Sequence, residues 1–113
     1  MNINNAIQLF ADDRLLAGLA ASSAHEYETQ LNVWARWLAG CGVIDTDAIT
    51  PEHVRQYLSY RRRNRAQSTV CHDRAILSLF IRFLEMSGAI AWESISIPRV
   101  APPKDDEIRR VHI

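Results

Sequence analysis

Between residues 3 and 97 the backbone breakers are one proline, Pro51, and four glycines, at positions 18, 40, 42 and 88. Their spacing cuts the chain into four long segments, each with apolar residues at helical intervals, and so predicts an all-α fold. In the first segment Ile3, Ile7 and Phe10 stand at i, i+4 and i+7, followed by Leu15, Leu16 and Leu19, giving a helix from about Asn4 to Ala17. The second has Ser23 as N-cap with Glu26 three residues on, the capping-box pattern, then Tyr27, Leu31, Trp34 and Leu38 on one face until Gly40 and Gly42 stop it. Thr50-Pro51 opens the third, because a Thr side chain can accept from an orphan amide and proline's fixed φ suits the first helical position. Its buried stripe is Val54, Tyr57 and Leu58; it frays through Arg61–Arg63, and Asn64 to Gln67 form the turn. Ser68 then caps a fourth helix with Ile76, Leu77, Phe80, Phe83 and Leu84 inward, and His72, Arg74, Ser78, Arg82 and Glu85 outward, ending at Gly88.

A chain of 113 residues, 48% hydrophobic, is long enough for one core and too short for two. Ile90, Trp92, Ile95 and Ile97 fold back as a short cover. The remaining three prolines crowd into residues 98–103, and Pro102-Pro103-Lys104-Asp105-Asp106-Glu107 reads as extended, solvated linker. The expected division is a helical domain over 1–97 and a linker over 98–113. No stretch reaches the ~18 apolar residues of a membrane span, and a basic, then apolar, leader is missing from the N-terminus, so a cytoplasmic protein is expected. Cys41 and Cys71 lack the CxxC spacing, and both are expected to be free thiols.

The formal net charge is zero, but it is segregated. Residues 55–82 hold seven Arg and one acid, Asp73, for a net +6; residues 1–54 carry −5 and residues 83–113 carry −1. Four of those arginines, Arg61, Arg62, Arg63 and Arg65, form a knot between the third and fourth helices. Arginines at a helix end also complement the helix dipole, so the knot alone does not decide for nucleic acid. It does sit beside the amides that open the next helix, and guanidinium groups next to a helix N-terminus form a place for a phosphate. Beyond it, Gln67, Ser68, Thr69, His72 and Arg74 could meet base edges in a major groove.

Catalytic chemistry finds no such support. His25, His53, His72 and His112 lie on separate elements, Cys71 and His72 diverge around their helix, and no glycine-rich phosphate loop occurs. No metal and no cofactor is expected. Trp34, Trp37, Tyr57, Phe80 and Phe83 fall on the stripes that each helix must bury, so they are read as core rather than as a base-stacking platform.

The order of these pieces resembles the N-terminal core-binding, or SAM-like, domain of phage-integrase-type tyrosine recombinases. The likeness runs from about Ile3 to Lys104. It is carried by Ser23-Ala24-His25-Glu26-Tyr27 leading into Leu31, Trp34 and Trp37-Leu38; by Ile49-Thr50-Pro51-Glu52-His53-Val54 leading into Tyr57-Leu58; by Ser68-Thr69 opening the helix through Leu84; and by Gly88-Ala89-Ile90 before the proline-rich exit. The resemblance implies a four-helix orthogonal bundle of two helical hairpins. It further implies double-stranded DNA at a recombination site as partner, along with other recombinase protomers, with the second and fourth helices towards the major groove. It thereby makes residues on Ser22–Arg36 and Ser68–Arg82 candidate contacts, and together with the basic knot the residues singled out for DNA are Arg61, Arg62, Arg63, Arg65, Gln67, Ser68, Thr69, His72 and Arg74. Glu28, Thr29 and Asn32 stand where relatives often carry basic residues, and His72 where Arg is common, which puts the weight of affinity on Arg61–Arg65. The catalytic Arg, Lys, His and Tyr of such enzymes belong to a separate C-terminal domain, and this chain contains no His-x-x-Arg. The chain is therefore expected to bind without cutting. Two other readings stay open: a helical protein-interaction module docking through its first helix, and a helix-turn-helix regulator, the latter disfavoured by the apolar run after Gly88.

Overall fold

A computed structural model describes residues 1–102. Four α-helices follow in order: α1 (Ile3–Leu16), α2 (Ala21–Gly40), α3 (Pro51–Asn64) and α4 (Gln67–Met86), with short 3-10 turns at Thr46–Ala48 and Ser94–Ser96. Helices α1 and α2 pack as one hairpin, α3 and α4 as another, and the α2–α4 contact joins them. Among the described residues there is no helix long and apolar enough to cross a membrane.

Three of the four helices stop in the same way. Gly18, Gly42 and Gly88 have φ of 101°, 81° and 71°, the left-handed region that a Cβ disfavours. Around each, the amide two residues past the C-cap returns to the carbonyl five residues earlier: Leu19 to Arg14, Val43 to Leu38 and Ala89 to Leu84, at 2.8–3.0 Å. This is the Schellman arrangement, and it satisfies carbonyls the helix end leaves open. At the end of α2, then, Gly42 and not Gly40 makes the turn.

The helix starts divide differently. The Asn2 side chain accepts from the amides of Asn4 and Asn5, and Thr50 caps α3 as its sequence requires, accepting from His53 N at 3.3 Å. His53 Nδ1 accepts in return from Thr50 N at 3.1 Å, taking the place Glu usually fills in a capping box. The expected caps at Ser23 and Ser68 are not used. The N-caps of α2 and α4 are Ala20 and Ala66, neither with a side-chain bond, so both serines lie inside their helices. Glu26, the sixth residue of α2, lies past the capping position, and its carboxylate meets His72 of α4 at 3.0 Å.

The core is aromatic at its centre. Trp34, Phe80 and Phe10 are buried to 1% exposure or less; Phe10 meets Phe80 edge-on at 5.5 Å, and Trp34 meets Phe80 at 6.2 Å. Tyr57 is buried, while Trp37 and Phe83 pack half-buried against the same cluster. The N-terminus is pinned to the α2–α3 connection by Ile3 N to Ile44 O and Thr46 N to Met1 O. After Gly88, Trp92 donates to Ile49 O at 2.8 Å and Ile97 is buried, so this stretch does cover the core. Glu85, expected to face outward, instead accepts from the amide and hydroxyl of Ser94 and holds the 3-10 turn. The exit from Pro98 to Ala101 lies against α4, with Val100 packed on the core. The rest of the expected linker, 103–113, including Pro103, Lys104, Asp105, Asp106 and Glu107, lies outside the described residues.

Candidate nucleic-acid interface

The connection between α3 and α4 is only Arg65 and Ala66, both extended, so the basic end of one helix abuts the amide end of the next. Arg62 closes this corner: its Nε donates to Gln67 Oε1 and its Nη1 to Arg65 O at 3.2 Å. Arg65 in turn donates to Asn64 O at 2.9 Å. Arg62, Arg63 and Arg65 are exposed, and among the described residues none of them pairs with a carboxylate. Because Ala66 offers no capping oxygen, the first-turn amides of α4 receive no side-chain acceptor. Arg62 and Arg65 therefore stand beside open N–H donors at the positive end of a helix dipole, while Arg63, exposed at the end of α3, borders a groove with Trp37, Glu52 and Tyr60.

Arg61 points elsewhere. Its Nε donates to Asp73 Oδ2 at 2.8 Å, and the two side chains are 15% and 5% exposed. The Asp73 hydrogen bond raises the Arg61 pKa further above its ordinary value, so the guanidinium stays charged. Beneath it, burial pushes the Tyr57 hydroxyl up to about 12, with Arg61 opposing that rise. This pair ties α3 to α4 and consumes the one acid of the basic segment. The knot of four is thus three outward arginines and one structural tie.

The remaining candidates also separate. Ser68 and His72 are exposed and Thr69 is half-buried; His72 Nε2 lies 3.0 Å from Glu26 Oε1 across the α2–α4 seam. Gln67 and Arg74 are half-buried and donate to the exit segment, Gln67 Nε2 to Ala101 O and Arg74 Nε to Pro98 O at 2.9 Å. So the fold gathers Arg62, Arg65 and Gln67 at one corner, with Ser68 and Thr69 in the first turn of α4, His72 a turn further along and Arg63 exposed at the end of α3, and it engages Arg61 and Arg74 in bonds within the protein.

Two arginines outside the expected contacts, Arg55 and Arg99, join this surface, along with Arg82 at the end of the expected α4 range. Arg55 and Arg62 line a cleft of about 230 Å³ with Arg99 of the exit segment, and Arg99 also borders a second groove lined by Arg74 and Arg82. The i, i+7 spacing of Arg55 and Arg62 on one face of α3 is a signal present in the sequence. Arg99 had none, because its position depends on where the exit segment lies. Cys41 and Cys71 are free thiols, and among the described residues no group of three or more His, Cys, Asp or Glu is placed to hold a metal ion.

The family model of the phage integrase N-terminal SAM-like domain matches residues 7–88. The chain belongs to this family. The matched stretch runs from within α1 to the glycine that ends α4 and so contains the whole basic corner. It identifies the N-terminal, helical part of a phage-integrase-family recombinase, and the match is to that domain alone. No curated protein and no solved structure gives a match.

Proposed function

We propose that this integrase N-terminal domain binds double-stranded DNA at a recombination site, in the cytoplasm and beside other protomers of a tyrosine recombinase, and leaves strand cleavage to a separate catalytic domain. The observation that carries this reading is the α3–α4 corner, where Arg62 and Arg65 adjoin the uncapped start of α4 and Arg63 stands exposed at the end of α3, none of the three paired with a carboxylate among the described residues. Phosphates dock there, with Ser68 and Thr69 in the first turn of α4 and His72 a turn further along, where base edges would be read. Arg61 supports the corner through Asp73 instead of touching phosphate.

Binding of this kind weakens linearly in log K against log salt, by ~0.9 per phosphate neutralised. The variant Arg63→Ala/Arg65→Ala, which removes the two exposed guanidiniums with the least structural work, should flatten the slope by about two units. A slope equal to wild type would remove both residues from the interface. A second variant separates binding from stability. Ala66 has the extended backbone of an N-cap, so Ala66→Asp should raise thermal stability by about 1 kcal/mol while placing a negative charge where phosphate sits. Calorimetry and duplex titration should therefore move in opposite directions. A rise in both would show that phosphate does not occupy the α4 terminus.

A protein-interaction reading through the first helix loses Ile3, Ile7 and Phe10, the residues its sequence offers for docking, because all three are buried in the core; in its favour stand Leu16 and Met86, 89% and 82% exposed, with Leu15 beside Leu16 at the end of α1. Gel filtration with and without duplex separates the two readings, since an oligomer indifferent to DNA supports interaction alone.

A further inference from the structure

Gln67, Cys71 and Arg74 stand at i, i+4 and i+7 on α4, a single stripe of the helix. All three donate to the exit segment: Gln67 and Cys71 to Ala101 O, the latter from Sγ at 3.2 Å, and Arg74 to Pro98 O at 2.9 Å. An extended segment with prolines cannot pair as a strand, and its carbonyls need donors from outside. The α4 stripe supplies them and so fixes where Arg99, between the two anchored carbonyls, comes to rest. There it forms the shared wall of two grooves, one with Arg55 and Arg62 and the other with Arg74 and Arg82. Among the described residues no carboxylate lines either groove. Glu52 meets Arg55 at 3.4 Å, but both side chains are more than 60% exposed, a pair too weakly held to neutralise the cleft.

We propose that Arg99, held in place by Arg74 and Gln67, completes with Arg55 and Arg62 a seat for a backbone phosphate of the bound duplex. This rests on the duplex reading above and extends the interface from the α3–α4 corner onto the exit segment. Arg74 and Gln67 are then positioning residues, acting through the segment they anchor. The positive charge of the cleft comes from side chains on two elements, α3 and the exit segment, so it is complete only while the exit segment stays against α4. Arg99 contributes to binding in proportion to how firmly Pro98 and Ala101 are held.

The test is the salt dependence of binding to a duplex of arbitrary sequence, measured with the full chain and the variants Arg99→Ala, Arg55→Ala, Arg99→Lys, Arg74→Met and Arg74→Met/Arg99→Ala. Arg99→Ala and Arg55→Ala should each flatten the log–log slope by about 0.9, and Arg99→Lys should restore it. Arg74→Met should reproduce the Arg99→Ala loss, and the double variant should lose no more than either alone. Steep wild-type binding with unchanged slopes in Arg99→Ala and Arg55→Ala would overturn this seat and leave the α3–α4 corner intact. Additive losses in the double variant would make Arg74 an independent phosphate contact and overturn its positioning role. No duplex binding by the wild-type chain would overturn the DNA reading itself, and this seat with it.

Discussion

Trp34→Ala should cost about 4–5 kcal/mol, enough to leave the domain largely unfolded at growth temperature, given that whole domains have only about 5–15 kcal/mol in hand. Trp34 is fully buried where α2 meets α4, against Phe80 at 6.2 Å and Tyr57 at 6.4 Å. Its removal opens a cavity shared by both hairpins, so neither can relax alone to fill it. Trp34→Phe should be far milder, at about 1–2 kcal/mol. Among the described residues the indole N–H has no hydrogen-bond acceptor, and Phe deletes that unsatisfied donor while retaining an aromatic face for Phe80. Urea unfolding of the pair gives both numbers. Equal losses in the two variants would show that the buried volume at Trp34 does not govern the join between hairpins.

Asp73→Ala should be the most damaging change among the polar residues. It leaves the Arg61 guanidinium, 15% exposed, without its carboxylate, and stranding one partner of a buried pair costs about 3–5 kcal/mol. Because Arg61 keeps some contact with water, the loss should fall near the lower end, about 3 kcal/mol. Arg61→Met/Asp73→Leu, which removes both charges and keeps the volume, should recover most of that loss, since the desolvation of the pair offsets much of its attraction. A double variant as unstable as Asp73→Ala would mean that the pair contributes directional bonding beyond charge compensation. The double variant also has a functional consequence. If Arg61 is a tie and no phosphate contact, its duplex salt slope should match wild type.

Helix ends were legible in this chain where the signal was local. Thr50-Pro51 and the glycines at 18, 42 and 88 specify backbone geometry within a few residues, and the observed helices end where those residues direct. Ser23 and Ser68 have the right residue type for a cap, but α2 and α4 begin before them, at Ala21 and Gln67, each after an extended alanine. With Ser23 already helical, Glu26 lies past the first turn of α2, where its carboxylate meets His72 of α4, 46 positions away, and not an N-cap amide. The Arg61–Arg65 knot was visible as composition, but which guanidinium turns inward depends on Asp73 arriving beside α3, and that follows only from packing. Arg99 was hidden for a similar reason: backbone carbonyls accept from Gln67, Cys71 and Arg74, and a carbonyl is common to every residue.

The central claim is that one corner of the bundle, where α3 hands over to α4, is the surface that meets the duplex. Amide and guanidinium chemical-shift mapping during a duplex titration tests it most directly. The account predicts shifts concentrated on residues 62–75, strongest at Arg63, Arg65 and the first-turn amides of α4, with the outer face of α1 silent. Shifts centred on Leu15, Leu16 and Met86, with the arginine corner unmoved, would contradict it.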